Sequence, residues 1–224
     1  MKENHCTYKI FAFAGQFVIL DDDMNIPKTI IVVGRSGSGK GTQINLLKEY
    51  IQTQSQSNEV YHFESGKLFR DMITEPGYTS DRIRKTLESG ELVPDVITDW
   101  LLIDGMKKNI SSENDMVIFD GYPRTLHQAD FLNQALRYYH RDNAVVIHID
   151  VSEDEVRTRM QERGRADDTY MEIINTRISW YNENVVPTLE YLRAQDYYTV
   201  IDIKGEGEIS TIHEQILTAL ANLN

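Results

Sequence analysis

The stretch Gly34-Arg35-Ser36-Gly37-Ser38-Gly39-Lys40-Gly41-Thr42 sets glycines and a lysine at a spacing suited to one kind of chemistry, the holding of a polyphosphate. Gly34 and Gly39 bracket four residues, so the loop can turn its backbone N–H groups inward. A helix starting behind it adds the positive end of its dipole. Lys40 supplies a point charge for the outer phosphates of a nucleoside triphosphate. The position after the lysine, usually Ser or Thr in such loops, is Gly41, and the hydroxyl comes one residue later at Thr42. No hydroxyl stands where Mg²⁺ is ordinarily held, so the metal must be bound mostly by phosphates and water. A glycine-rich turn with no ligand would share the composition but has no need of these flanks.

Those flanks are an apolar run, Ile30-Ile31-Val32-Val33, and a helix-like segment beginning at Gln43. A continuous apolar run is what a strand buried on both faces requires, and it predicts a strand over 28–34. Further strands are expected over 60–63, 116–119, 144–149 and 198–203. Helices are expected from Lys40 to about Thr53, from Ser65, over 79–89 closed by Gly90, and from Asp95 to about Lys108 with Pro94 suited to the first turn. Others follow over 125–139, from Ser152 with Glu155 as a capping box to Arg163, from Tyr170 with a bend at Pro187, and over 209–220. Val96, Trp100, Ile103 and Met106 share helical spacing, which places Trp100 in the core. His148, inside a strand, reads as a packed or edge histidine.

Strands alternating with helices define a doubly wound α/β sheet, which binds ligands beyond the C-terminal strand ends. The glycine loop, Ser65 with Arg70, and Asp120 with Arg124 all converge there. The chain has 224 residues and a formal net charge of -12, which argues against a nucleic-acid partner and confines any phosphate site to a local basic pocket. A single cysteine, Cys6, excludes an internal disulfide framework and a cysteine-rich zinc site. The apolar run from Ile10 to Leu20 is too short to span a bilayer as a helix and reads poorly as a signal peptide, being interrupted by Gln16 and followed by Asp21-Asp22-Asp23. Residues 1–27 read as an extension before the main domain, 28–224, and a chain starting at Met24 is expected to fold and function.

With these pieces placed, the sequence resembles the adenylate kinase family of nucleoside monophosphate kinases. The resemblance rests on Gly39-Lys40-Gly41-Thr42-Gln43, Gly90 to Pro94, Asp120-Gly121-Tyr122-Pro123-Arg124 and Gly164-Arg165-Ala166-Asp167-Asp168, in the family's order. It implies a P-loop nucleoside triphosphate hydrolase-type fold, a five-stranded parallel sheet with helices on both faces. Two small insertions are implied as well, a monophosphate-binding segment over 64–94 and a short lid over 163–169, too short to bind zinc. Gly37, Ser38, Gly39, Lys40, Gly41, Thr42, Arg159 and Arg163 would then hold ATP, with the backbone of 204–207 beside its base. The acceptor would be held by Ser65, Arg70, Glu91, Leu92, Val93, Gly121, Tyr122, Pro123, Arg124 and Gln128. Arg165 and Arg177 would reach across to the phosphates of both, so that Lys40, Arg124, Arg163, Arg165 and Arg177 carry the catalysis.

Direct reading agrees in part. Arg159 and Arg163 share one helix face, where two cations repel unless an anion lies between them. Arg177 has apolar neighbours at helical spacing and so needs a partner, an anion or an internal carboxylate. Asp120, at a strand end beside the loop, is placed to hold Mg²⁺ through water, the alternative being a turn cap. Asp167 and Asp168 read as tethers of a closed lid or as solvated carboxylates. Gln128 lies at the Pro-Arg-x-x-x-Gln spacing where the family's amide reads the edge of AMP, and an amide can pair with adenine through one donor and one acceptor. UMP, CMP or a broad acceptor range is the alternative. One departure stands out: where the family usually has Ser-Thr-Gly-Asp, this chain has Glu64-Ser65-Gly66-Lys67, so a carboxylate expected near the metal's waters is replaced by a cation. That departure and the shortened lid keep a non-catalytic nucleotide-binding module open as a reading of another class. The expected whole is a cytoplasmic, monomeric, Mg²⁺-dependent phosphotransferase using ATP and a nucleoside monophosphate.

Overall fold

The computed structural model describes residues 8–13, 16–21, 26–54, 60–164 and 170–223. Its first two strands, β1 (Tyr8–Phe13) and β2 (Gln16–Asp21), pair antiparallel, so most of the N-terminal apolar run forms a strand pair. Then follow β3 (Thr29–Val33), α1 (Lys40–Gln54), β4 (Val60–Glu64), α2 (Ser65–Met72), α3 (Tyr78–Glu88), α4 (Asp95–Asn109), β5 (Met116–Asp120), α5 (Leu126–Tyr138) and β6 (Ala144–Asp150). The chain continues through α6 (Glu153–Arg163), α7 (Met171–Trp180), a π-helical turn (Tyr181–Val185), α8 (Val186–Arg193), β7 (Tyr198–Lys204) and α9 (Ile209–Ala221).

The main sheet runs β4-β5-β3-β6-β7 and every pairing is parallel. Each central strand buries both faces. Ile31, Val33, Val117 and Phe119 pack with α4, α5 and α8 through residues such as Leu102, Leu132 and Leu192. Ile30, Val32, Met116 and Ile118 face the other way, onto α1, α6, α7 and α9 through Ile44, Val156, Ile178 and Ile216. This alternation at period two, with apolar residues on both sides, explains the unbroken apolar runs. The strand leading into the glycine loop is the middle one, and its C-terminal end lies between those of β5 and β6.

Four sequence expectations change. Trp100 is not in the core: it is 57% exposed, as are Val96 and Ile103 to differing degrees, and only Met106 of that set is buried. Helix α4 instead buries Thr98, Asp99, Leu101, Leu102 and Met106. Periodicity defined a stripe, but the face carrying Leu101 and Leu102 met the core, and Asp99 is accommodated there by the Tyr122 hydroxyl, 2.7 Å away. The capping box at Ser152 is only half made. Its hydroxyl accepts from the Glu155 N–H, but its own N–H donates to Glu206 at 2.9 Å, while Glu155 pairs with Arg159. The irregularity expected at Pro187 is the π turn immediately before it, and Pro94 sits at the N-cap of α4 rather than inside its first turn.

Candidate active site

The loop between β3 and α1 curls so that Lys40 Nζ donates back to the carbonyls of Gly34 at 2.7 Å and Arg35 at 2.9 Å. Gly39 adopts φ +91° at the start of α1, a backbone state that side chains disfavour, and space is open where a Cβ would stand. The loop glycines Gly37, Gly39 and Gly41, with Lys40 and Thr42, line an open cavity of ≈ 350 Å³ whose far wall is His62, Glu64 and Asp120. Ser38 is buried at the base of the loop and its hydroxyl has no hydrogen-bond partner among the described residues. A cavity of this size, lined by glycine backbone, a lysine and the first turn of a helix, is a cradle for an anion.

Asp120 ends β5 and faces this cavity with 13% of its side chain exposed. Burial alone would raise its pKa, yet the neighbouring His62 ring and the charges of Lys40 and Arg124 outweigh burial and hold it below the usual carboxylate range. It is therefore an anion at neutral pH, facing the place where phosphates would lie. An ionised oxygen donor, with no hydroxyl at Gly41 to compete, fits a hard cation such as Mg²⁺. Among the described residues no group of three or more His, Cys, Asp and Glu side chains is arranged to hold a metal directly.

A second cavity, of ≈ 100 Å³, is lined by Arg70, Arg124 and Arg177 together with Gly66, Val93 and Trp180. Ser65, buried at the start of α2, accepts from Arg124 at 3.4 Å and donates to the Gly121 carbonyl at 2.9 Å. Arg124 Nε donates to that same carbonyl at 2.7 Å, and its guanidinium lies 5.3 Å from the Trp180 ring centre. Gly121 has φ +71°, and a Cβ there would sit 2.5 Å from the Arg124 guanidinium. Burial first, then repulsion from Arg177 and Arg70, pull the Arg124 pKa down to about 10, against the attraction of Asp120. Three guanidiniums around one cavity form an anion site, and planar forks suit phosphate oxygens. A small third cavity has both Lys40 and Arg124 in its wall, so the two anion sites meet there.

Several expected contacts are arranged differently. Gln128 is buried, with its amide already engaged: Nε2 donates to Asp95 at 2.8 Å and Oε1 accepts from the Arg124 N–H at 2.8 Å. Tyr122 is fully buried, and its hydroxyl faces Asp99 rather than either cavity. The Tyr122–Pro123 peptide is cis. Glu91 and Val93 line the arginine cavity and Leu92 does not. Arg159 lies along α6, tied to Glu155 at 2.7 Å and to the Gly205 carbonyl at 3.0 Å, which brings it to the 204–207 loop. Arg163 ends the same helix, exposed. Arg165, Asp167 and Asp168 fall outside the described residues, as does most of the expected lid.

Lys67 is 63% exposed and bonded to Asp71 at 2.8 Å, on the outer side of α2. It lines neither cavity. His148 is satisfied between Asp202, 2.8 Å from Nδ1, and the Tyr181 hydroxyl, 3.1 Å from Nε2, as a packed histidine should be. Sequence reasoning missed Glu64, His62, Trp180 and the contact of Arg35 over the Tyr181 ring at 4.7 Å. His62 and Glu64 had a signal, since alternate residues at the end of a strand share a face. Trp180 had none, because its role depends on Gly90, whose carbonyl accepts from the indole N–H at 2.8 Å.

An α/β sheet whose central strand feeds a glycine loop, with an arginine cavity at the neighbouring strand ends, defines a nucleotide-binding protein of the P-loop class. The family model "Adenylate kinase" matches residues 32–197, and this chain belongs to the adenylate kinase family. It is 36% identical over 190 residues to the adenylate kinase of Corynebacterium aurimucosum, covering 85% of this chain and 97% of that one. It is also 32% identical over 196 residues to the adenylate kinase of Oenococcus oeni, covering 88% and 99%. The adenylate kinase of Flavobacterium johnsoniae is 33% identical over 198 residues, covering 87% and 98%. No described helix is long and apolar enough to cross a membrane.

Proposed function

We infer that this protein transfers the terminal phosphoryl group of ATP reversibly to AMP, giving two molecules of ADP. The observation that carries the reading is the pair of anion cavities, one built on the glycine loop and one on three arginines, with Lys40 and Arg124 in the wall of the small cavity between them. Two phosphate chains held there meet end to end. The names of the relatives, adenylate kinases, support AMP as acceptor.

No general base is required. The second ionisation of a phosphate monoester has a pKa of roughly 6, so the acceptor oxygen is already anionic at neutral pH. The protein must instead align two anions and neutralise the charge of the moving group. Lys40, released from the Gly34 and Arg35 carbonyls, holds the outer phosphates of ATP. Arg70, Arg124 and Arg177 hold the acceptor phosphate, with Ser65 bonded to Arg124. Mg²⁺, when bound with ATP, neutralises phosphate charge, and Asp120 would hold it through its waters.

The segment 64–94 then serves as the acceptor-binding insertion and 163–169, with Arg163 and Arg165, as a lid that excludes water before transfer. Gln128 keeps one N–H and one lone pair beside its bonds to Asp95 and the Arg124 N–H, so its amide can still meet the edge of AMP, with UMP and CMP as the alternative acceptors. A non-catalytic module rests on Lys67 and the shortened lid; a lysine paired with Asp71 outside both cavities gives the first no support, and most of the lid falls outside the described residues. We take the protein to act as a cytoplasmic monomer.

The test is a coupled assay with ATP and Mg²⁺ against AMP, UMP, CMP and GMP, with a control lacking acceptor. ADP formation that needs AMP is the expected result. Preference for another base moves the specificity, and ATP binding without acceptor-dependent transfer overturns the kinase reading.

A further inference from the structure

The position where relatives carry an acidic residue near the metal is Lys67 here, turned outward onto Asp71. A carboxylate is nonetheless present at the cavity, supplied from a different place. Glu64 is the last residue of β4 and pairs in register with Asp120, the last residue of β5. Registered residues on adjacent parallel strands lie about 4.8 Å apart and project from the same face. Both side chains line the glycine-loop cavity, opposite Lys40 and Thr42.

We propose that Glu64 is the second carboxylate of the Mg²⁺ site, holding metal-bound water beside Asp120 and replacing the carboxylate absent at Lys67. The proposal rests on the phosphotransfer reading above and deepens it. Three features support it. Glu64 keeps 30% of its side chain exposed, so it reaches solvent in the cavity rather than being sealed inside the protein. Arg70 holds it from the other side, NH2 to Oε1 at 2.9 Å, which fixes the carboxylate while one of its oxygens stays available. An arginine has five N–H donors, so this bond leaves Arg70 able to take a phosphate oxygen in the acceptor cavity it also lines.

The arrangement has a logic in charge. A hydrated Mg²⁺ needs oxygen acceptors for its water protons, and one buried aspartate offers two oxygens. Moving the second carboxylate from the first turn of α2 to the end of β4 shifts it by three residues but keeps it at the sheet edge, with only β5 between it and the strand that feeds the glycine loop. Lys67, freed of that role, forms an i,i+4 pair on the helix surface.

The experiment measures metal binding without turnover. Mn²⁺ is titrated into the full chain with a non-hydrolysable ATP analogue, and free Mn²⁺ is read by electron paramagnetic resonance. Affinity for the analogue without metal is measured alongside. Outer-sphere partners of a metal typically change its affinity about 10- to 100-fold, so Glu64→Gln should weaken Mn²⁺ at least about tenfold. Metal-free analogue binding should stay within about twofold. The double variant E64Q/K67D, which returns a carboxylate to the other position, should recover part of the lost metal affinity. Mn²⁺ affinity in E64Q within about twofold of wild type would overturn the proposal and leave Glu64 as the ion-pair partner of Arg70 alone. Equal losses with and without metal would overturn it too, as a structural effect. A wild-type chain that binds the analogue no better with metal would instead overturn the kinase reading itself.

Discussion

Arg124 holds a charge that the protein without nucleotide accommodates at a cost. Its pKa falls from 12.5 to about 10 under burial and the repulsion of Arg177 and Arg70, a shift equivalent to about 3 kcal/mol of disfavoured charge. The folded-state value is depressed for a cation, so the cost is present wherever the guanidinium is protonated, which includes all pH values near neutral. Replacement by methionine removes that cost. It also removes the bonds to Gly121 and Ser65 and the contact with Trp180, together contributing about 2–4 kcal/mol. The two offset each other, so Arg124→Met should keep the ligand-free stability of the wild type within about 1 kcal/mol, a change in Tm of no more than about 2–4 °C for a chain of this size. Turnover should fall by about 10²–10³, the usual cost of one preorganised donor at a developing charge. Thermal and urea melts without nucleotide, paired with the coupled assay, test both halves. Adding AMP should raise the Tm of wild type and leave that of the variant nearly unchanged. A variant that loses more than about 1 kcal/mol, or that keeps turnover within tenfold, would refute the assignment of Arg124 as a strained anion site.

Three further outcomes follow from the geometry. Lys40→Met should lower turnover by about 10²–10³ with a melting transition close to wild type, since its described bonds go to two loop carbonyls that water can serve. Tyr122→Phe should cost about 1.5–3 kcal/mol at pH 7, because it strips a buried carboxylate of its hydroxyl partner. Burial foremost raises the Asp99 pKa while the Tyr122 bond lowers it. A raised folded-state value means its contribution is full below pH 3.8 and is lost as pH rises through the folded pKa. The Tyr122→Phe deficit should therefore shrink toward pH 4, and urea melts across that range showing a constant deficit would contradict it. Lys67→Ala should leave turnover and melting nearly unchanged, since its described hydrogen bond goes to an exposed Asp71; a large loss of rate would return Lys67 to the site.

What the sequence could reveal followed the range of the interactions involved. The glycine loop was legible because its function is local: turn residues, strand before and helix after are written in one stretch of 28–48. Trp100 was misplaced for the complementary reason. Spacing identifies a stripe on α4 but not which stripe meets the core. Leu101, Leu102 and Met106 bury the other face, and the polar Thr98 and Asp99 go with them because the Pro94 carbonyl and the Tyr122 hydroxyl satisfy them. The half-made capping box failed in the same way, since Glu206 comes from 54 residues away to take the Ser152 N–H.

The same distinction explains the site. Positions for an anion were readable from residue type, but the partners those residues keep without a ligand were not. Lys40 rests on carbonyls, Arg70 on Glu64, and Gln128 between Asp95 and the Arg124 backbone. A donor shut off from water is seldom left unpaired, because an unmade hydrogen bond costs about 1–3 kcal/mol. A residue destined for a phosphate therefore needs a second partner of comparable strength to hold it until the phosphate arrives. Of these stand-ins Glu64 is the informative one. Carbonyls and an aspartate beneath the helix could serve any polar group, whereas a carboxylate set between an arginine of the acceptor cavity and the wall of the glycine-loop cavity connects the two substrates' sites directly.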